Sequence, residues 1–290
     1  MGPLLALASA VCYGIVDFTG GLQSCHAPFT TITFLGQLGG LLLAGSAALL
    51  VPAGAVHPAD LLWGALSGVG SGSAMHFLNR GLSRGDGGTA RLERSRELGE
   101  SVVVPVSTVT GVALSVLCGV LALGDRPGAL AWTGIAVTVP ALWLVAGGGA
   151  GGRGAGGQVA DGLLASAGVA VQYVALGLAG SSARLWPVAA GRVAAVPLLL
   201  PTATRHRRRL RLPGRLTAQA LLVGAGAALG LILYLLAAQR QLLAVAVVLA
   251  SLYPALPVVL GLALLHERVT PRQTAGLLGA AAATVLPTLG

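Results

Sequence analysis

Hydrophobic residues follow one another in long blocks along the chain, and short polar stretches separate the blocks. The blocks are rich in Leu, Ala, Val and Gly, and their lengths approach the roughly 20 helical residues that cross a hydrocarbon core of about 30 Å. Inside lipid, every backbone N–H and C=O group needs a partner within the protein, which a helix supplies. The polar–apolar alternation typical of a transmembrane barrel is not seen. The pattern therefore predicts an all-α polytopic membrane protein.

The blocks define ten predicted transmembrane helices. Several are shorter than 20 residues, so we expect tilted neighbours or a locally thinner bilayer. The spans cover residues 3–20, 29–51, 61–79, 101–123, 129–146, 162–180, 185–201, 218–238, 242–265 and 274–289.

A Gly-rich segment divides the chain into two sets of five spans. It covers residues 147–160, and its composition is typical of a flexible linker. The first set, residues 1–146, and the second set, residues 161–290, are predicted to be two copies of one five-helix repeat.

The two sets resemble each other at both ends. Displacing the first set by 142 residues superimposes Asp125 and Arg126 on Glu267 and Arg268. Near the start of each set, a tyrosine in ASAVCYG is matched by one in AGVAVQYV. Self-similarity over half the chain indicates an internal repeat. Because five is odd, the second copy enters the membrane from the opposite side, which predicts two inverted repeats.

Each half closes with an apolar run, an acid–Arg pair and a glycine-bearing helix. These endings are SVVVPVSTVTGVALSVLCGVLALGDRPGALAWTG at 101–134 and VAVVLASLYPALPVVLGLALLHERVTPRQTAG at 245–276. The arrangement resembles the EamA family of the drug/metabolite transporter (DMT) superfamily over nearly the whole chain. The resemblance implies a multi-pass secondary transporter of the bacterial inner membrane, which exports amino acids or other small, drug-like metabolites. It also implies a central substrate cavity between the halves, and we expect no cofactor.

Composition and charge support the membrane class. The 290 residues are 55% hydrophobic and only 9% charged, whereas soluble proteins are about 25% charged. The net charge is +9, and all 18 basic residues are Arg. Most of them lie in short loops and aromatic residues are only 4% of the chain, which indicates contact with a lipid surface and argues against nucleic-acid binding.

Neither a catalytic constellation nor a metal-binding pattern is present in the sequence. The three Cys are far apart without a C-x-x-C pair, and the five His lack the spacing of metal ligands. We therefore expect neither enzyme activity nor a metal ion. The expected partners are the lipid bilayer and a small-molecule substrate, with protons as the candidate coupling ion. A monomer and a homodimer both remain open.

Two charged residues within predicted spans are candidates for substrate binding or coupling. Asp17 is the only acidic residue that we place within a span, where a carboxylate can carry a proton or pair with a substrate amine. Its place near the end of the first span also lets it simply reach the interface. Arg192 has apolar neighbours on both sides, so it has to face a cavity, find a partner or extend to the surface. An anion or carboxylate site is one candidate role for it.

Uncharged polar residues within the spans have two interpretations. They could hydrogen-bond a polar solute, or they could bond neighbouring helices. The principal candidates are Gln37, Tyr173, Tyr234 and Tyr253, with Asn79, Gln172 and Gln239 as further members.

The acid–Arg pairs also have two interpretations. Asp125 with Arg126, and Glu267 with Arg268, could cap a tight helix hairpin where both groups keep contact with water. They could instead form a gate that opens and closes during alternating access.

Glycines recur at small-xxx-small spacing in the third and eighth predicted spans, which occupy matching positions in the two halves. Such spacing lets helix backbones approach closely in lipid. We expect packing contacts here, with a rocking contact in transport as the alternative. The glycines are Gly64, Gly68 and Gly72, and Gly226 and Gly230.

Two polar segments suggest an alternative function. A charged insert, residues 87–100, lies where the family has a short turn, and a basic loop covers residues 205–215. Both could be docking surfaces of a non-transporting membrane scaffold or sensor. Orientation is also open: 14 of the 18 Arg follow odd-numbered spans, so the positive-inside rule places both termini outside, whereas the resemblance implies cytoplasmic termini.

Overall fold

The chain forms a bundle of helices. The computed structural model describes residues 1–24, 29–85, 128–145, 155–204, 212–240 and 242–250, with short stretches between 252 and 282. All regular secondary structure in these residues is helical. The elements are α1 (Gly2–Ser24), α2 (Phe29–Leu50), α3 (Pro58–Gly85), α4 (Ala129–Val145), α5 (Ala155–Leu178), the 3-10 turn η1 (Ser181–Ala183), α6 (Trp186–Thr204), α7 (Gly214–Ala238) and α8 (Leu243–Ala250).

Four stretches within the described helices are long and apolar enough to cross a bilayer. They are Gly2–Gly20 in α1, Thr31–Leu50 in α2, Ala160–Leu178 in α5 and Gly214–Ala238 in α7. A shorter apolar stretch, Trp186–Pro201, lies in α6. The chain is thus a helical multi-pass membrane protein, as the sequence predicts. The count of ten spans stays a prediction, since the span at 101–123 lies outside the described residues.

The beginning of α3 is fixed by residues of its own first turn. Pro58 takes the first helical position, where its missing N–H costs no hydrogen bond. Asp60 accepts a hydrogen bond from the backbone N–H of His57 at 3.2 Å, as the acidic residue of a capping box does. Its other carboxylate oxygen accepts a hydrogen bond from the N–H of Gly180 at 2.8 Å. The start of α3 is therefore tied to the loop after α5.

The loop between α2 and α3 is joined to the same region. The backbone N–H groups of Gly54 and Ala55 donate to the C=O of Ser182 at 3.1 and 3.4 Å. We call this set of contacts, together with the Asp60–Gly180 bond, the loop latch; it consists of residues 54–60 and 180–182. Each of its bonds between the two loops joins the first half of the chain to the second.

Helices of the first half pack mainly on helices of the second half. The helix α3 packs on α5 and α6, the helix α7 packs on α1 and α2, and α2 packs on α6. We call the surface along which α1–α3 meet α5–α7 the inter-half seam. Most of the packing in the described part of the chain lies along this seam.

Glycines bring α3 and α6 into backbone contact. A methyl group on Gly64 would overlap the carbonyl oxygen of Pro187, and one on Gly68 would overlap that of Gly191. The prediction that these glycines serve close packing is confirmed. The residue numbers rise together along the two helices, so α3 and α6 run parallel.

A second glycine contact joins α2 to α7. A methyl group on Gly224 would overlap the carbonyl oxygen of Gly36. Further along α2, a methyl group on Gly40 would lie 3.0 Å from the carbonyl oxygen of Gly224. Near the start of both helices, Ile32 packs with Ala220. The numbers again rise together, so α2 and α7 run parallel.

The helices α1 and α7 run in opposite directions. The hydroxyl of Ser9 donates a hydrogen bond to the carbonyl oxygen of Gly230 at 2.7 Å. At the other end of α1, a methyl group on Gly20 would lie 3.7 Å from the Val223 side chain. Higher numbers on α1 therefore meet lower numbers on α7. Between these points Gly230 also faces the Tyr13 ring, which confirms its predicted packing role.

The helices α3 and α5 also run in opposite directions. Asp60 at the start of α3 bonds Gly180 just after α5. Ten residues further along α3, a methyl group on Gly70 would lie 2.8 Å from the backbone nitrogen of Gln172. The numbers rise on α3 as they fall on α5.

Apolar side chains fill the centre of the bundle and also cover its outer face. In α7 and α8, Tyr234, Leu235 and Val247 are fully buried. On the outside, Leu62 is 70% exposed and Leu222 is 71% exposed. Large exposed apolar side chains of this kind are expected on helix faces that contact lipid.

Candidate functional site

A buried arginine lies in the inter-half seam. Arg192 of α6 is 5% exposed, and its Nη1 donates a hydrogen bond to Oε1 of Gln37 on α2 at 2.8 Å. Both residues are sequence-predicted candidates, and the structure brings them together. The guanidinium lies beside Gly40, where a methyl group would be 3.3 Å from Nε. A glycine at this position leaves room for the charged group.

A small cavity adjoins this arginine. Its lining includes Ser67 and Ser71 of α3, Gly191 and Arg192 of α6, and Leu176 of α5. The volume of about 10 Å³ is enough for about one water molecule. Polar and apolar groups from both halves of the chain therefore meet around a water-sized space.

Four tyrosines form two pairs near the seam. The rings of Tyr173 and Tyr234 are 4.6 Å apart, and the Tyr234 hydroxyl donates to the backbone carbonyl oxygen of Tyr173 at 3.0 Å. This hydrogen bond supports the packing interpretation of both residues. The rings of Tyr13 and Tyr253 are 5.9 Å apart. Tyr13 marked the repeat in the sequence but was not chosen as a site residue.

The Tyr13 hydroxyl is a buried polar group near the two charged candidates. It has no hydrogen-bond partner in the described part of the chain, although the Gln172 side chain approaches it. Arg192 and Asp17 both lie within electrostatic range of Tyr13. Tyr13, which the sequence analysis did not choose as a site residue, is therefore a further member of the polar cluster.

Asp17 lies on the same face of α1 as Tyr13, one helical turn further along. Its side chain is exposed, whereas Tyr173, which also lies within its electrostatic range, is buried. No hydrogen bond or ion pair joins its carboxylate to another described residue. On the same side of α1, Gly14 lies against Leu256 and the backbone of Tyr253. Asp17 is therefore an exposed carboxyl group beside the tyrosine cluster.

Asp17 is not the only acidic residue within a membrane span, so that part of the sequence interpretation is wrong. Asp161 lies in the stretch Ala160–Leu178 and is 0% exposed. The Gly-rich composition before it suggested a linker, because glycine weakens isolated helices. Packing against α3 overrides this weak preference, and α5 begins at Ala155.

Several predicted site residues lie outside the described residues. These are the acid–Arg pairs Asp125–Arg126 and Glu267–Arg268, the insert 87–100 and residues 205–211 of the basic loop. Their roles stay predictions.

The chemistry of the described site is that of recognition. Within the described residues, no group of three or more His, Cys, Asp or Glu side chains is placed to hold a metal ion. The groups that converge on the seam are one guanidinium, amide and hydroxyl groups, and aromatic rings. Such groups can hold a polar solute.

A bundle of apolar helices of spanning length, with a polar cluster buried between its halves, defines a helical multi-pass membrane protein. Residues 161–289 match the EamA-like transporter family. The match confirms the family resemblance for the second half of the chain, nearly all of which it covers.

Comparisons with other proteins agree on the fold. The chain is similar to a protein of known crystal structure, with 16% sequence identity, a TM-score of 0.74, and coverage of 99% of this chain and 98% of the other. At this identity the likeness concerns the fold alone. No curated protein matches the chain.

Proposed function

We propose that the protein is a secondary transporter that moves a small polar or amphipathic metabolite outward, by alternating access between two inverted repeats. The observation that carries the proposal is the contact pattern of the inter-half seam. The EamA-like match of residues 161–289 supports it independently.

The contacts along the seam are those expected of two related halves. If the halves are copies, α1 corresponds to α5, α2 to α6, and α3 to α7. The equivalent of the α3–α5 contact is then the α7–α1 contact. In the same way, the equivalent of the α3–α6 contact is the α7–α2 contact. All four contacts are present. Each of these packings has its counterpart, which supports an internal repeat.

The helix directions support an inverted repeat. The loop between α2 and α3, residues 51–57, is held in the loop latch, and seven extended residues reach only about 25 Å. This is less than the thickness of a hydrocarbon core, so α2 and α3 run in opposite directions. With the parallel and antiparallel contacts described above, α1 then opposes α5, α2 opposes α6, and α3 opposes α7. Inverted halves are the architecture of many secondary transporters.

The location of the polar cluster supports a substrate site between the halves. Because α2 and α6 are equivalent helices of the two halves, the α2–α6 contact is its own equivalent. It therefore lies near the pseudo-twofold axis that relates the two halves. Arg192 and Gln37 bond across it. Substrate sites of inverted-repeat carriers lie near the bilayer midplane at the repeat interface.

The loop latch supports alternating access. It joins the two halves through backbone hydrogen bonds and one carboxylate at one end of the bundle. A carrier has to close one end of its pathway while the other is open. We assign this closing role to the latch.

A metabolite-export screen tests the transport function. Cells that overproduce the protein are expected to release at least one small metabolite faster than cells carrying an empty vector. A Gly224→Leu variant, in which a large side chain enters the α2–α7 contact, is the matched control and is expected to release it at the background rate. Equal release by all three strains, with the wild-type protein present in the membrane, would count against a transporter.

Asp17→Asn is expected to abolish proton-driven uptake of the identified metabolite in proteoliposomes. The accessible carboxylate is the candidate proton carrier, and an amide cannot bind and release a proton. The measurement is uptake with and without an imposed pH gradient, and exchange without a gradient controls for folding. Undiminished gradient-driven uptake in the variant would exclude Asp17 as the coupling residue.

A further inference from the structure

The inter-half seam contains a buried positive charge for which the described residues provide no counter-ion. Arg192 is 5% exposed, and its hydrogen bond within the described part of the chain goes to the neutral amide of Gln37. Its Nε is buried and has no acceptor among these residues. Burying a guanidinium costs more free energy than one bond to a neutral group returns. Packing of α6 against α2 does not require such a charge.

The surroundings of the guanidinium leave one of its edges available. Gln37 occupies Nη1, which leaves the edge formed by Nε and Nη2. The backbone of Gly40 packs close to this edge, since a methyl group there would lie 3.3 Å from Nε. The adjoining cavity adds the hydroxyls of Ser67 and Ser71 and the apolar side chain of Leu176. An unbonded donor edge beside a cavity that serine and apolar residues line is what a site for an amphipathic anion requires.

Charge and geometry select the class of anion. The two oxygens of a carboxylate match two parallel N–H groups of a guanidinium. One Arg balances one negative charge, whereas a phosphate carries a second charge for which the described seam has no cation. The site therefore favours a monocarboxylate over a dianion.

We infer that Arg192 is the anion-binding residue of the seam and that the solute it receives is an amphipathic monocarboxylate. The inference rests on the proposed transport function, because it takes the bound anion to be the transported solute. Binding itself can be measured without transport. In the structure described, the cavity of about 10 Å³ has room for only about one water molecule. The carboxylate group enters this space when the two halves move apart.

Thermal unfolding of the detergent-purified protein tests the inference, because a ligand that binds the folded state raises the unfolding temperature. The probes are pairs of nearly equal size and shape in which a neutral amide replaces the carboxylate: benzoate with benzamide, and phenylacetate with phenylacetamide. We expect a concentration-dependent rise with at least one acid and none with its amide. An Arg192→Gln variant is expected to bind the acid at least tenfold more weakly. Arg240→Gln, which alters an exposed arginine, is the matched control and is expected to bind as the wild type does.

A second variant, Gln37→Glu, tests the inference even if Arg192→Gln fails to fold. In this variant the side chain that bonds the guanidinium of Arg192 is itself a carboxylate, which takes the place of the ligand's carboxylate. This substitution is expected to raise the unfolding temperature without ligand and to abolish the response to the acids. A purely structural role of Arg192 predicts the rise in stability with the acid response unchanged, and that outcome overturns the inference. So does a wild-type protein that responds equally to acid and amide, or to neither.

Flux measurements separate this inference from the transport function. Uptake of the stabilising acid is measured in proteoliposomes and corrected for protein-free liposomes. Selective binding without flux would retain the anion site and contradict the transporter. Flux of neutral solutes, without selective acid binding, would retain the transporter and contradict the anion site.

Discussion

Gly224→Ala is expected to destabilise the protein by about 3 kcal/mol, because the added methyl group overlaps the carbonyl oxygen of Gly36. Neither group can move aside as a side chain would, since both belong to helix backbones. The helices α2 and α7 then have to separate, which weakens the contact between the two halves of the chain. The expected result is a large fall in the temperature of thermal unfolding in detergent.

The matched control for this prediction is Gly45→Ala, also within an apolar helix. Nothing lies within 4 Å of a methyl group placed on Gly45. Alanine favours helix over glycine by up to about 1 kcal/mol, so this variant is expected to be unchanged or slightly more stable. Similar unfolding temperatures for the two variants would show that the α2–α7 contact does not hold the halves together.

Asp60→Ala is expected to destabilise the protein by about 2–3 kcal/mol. The substitution removes a 94% buried carboxylate that accepts bonds from the backbone N–H groups of His57 and Gly180. Both groups then lose a partly buried hydrogen bond to a charged acceptor, and such bonds contribute about 1.5–3 kcal/mol. The loops of the latch lose the side-chain contact between them. Thermal unfolding measures the stability, and export of the identified metabolite measures the effect on gating.

Two further variants decide how this result is interpreted. Asp60→Asn retains one acceptor oxygen and is expected to fall between the wild type and Asp60→Ala. Ser181→Ala changes an exposed residue of the same turn and is expected to leave stability and export unchanged. If Asp60→Ala behaved as Ser181→Ala does, the carboxylate would have no part in holding the two loops.

Much of the helical architecture could be predicted from the sequence, because in lipid the apolar blocks have few alternatives to helices. Hydrophobicity also placed the ends of α2 and α7 within a few residues. The predicted start of α5 was wrong, because a Gly-rich stretch was assigned to a linker and Asp161 was left out of the span. The packing of α5 on α3 decides that boundary, and a hydrophobic pattern does not contain it.

The residues of the candidate site could be predicted from the sequence better than the contacts between them. Arg192 and Gln37 were chosen because a polar side chain within an apolar helix needs a partner. Their direct bond depends on how α6 crosses α2, which one sequence does not specify. Asp60 could have been found from Pro58 and the acidic residue two positions later, which together are typical of a helix start. The bond between Asp60 and Gly180 could not have been predicted, since the two residues lie 120 positions apart in the sequence.

The glycine contacts between α3 and α6, and between α2 and α7, have a mechanical consequence. At these points backbone hydrogens rather than long side chains meet the facing carbonyl oxygens. Interlocked side chains have to change rotamer when one helix slides along another, whereas smooth surfaces of this kind do not. Small shear displacements of the two halves therefore cost little free energy here. The closest helix contacts are also those along which the halves slide with the lowest barrier.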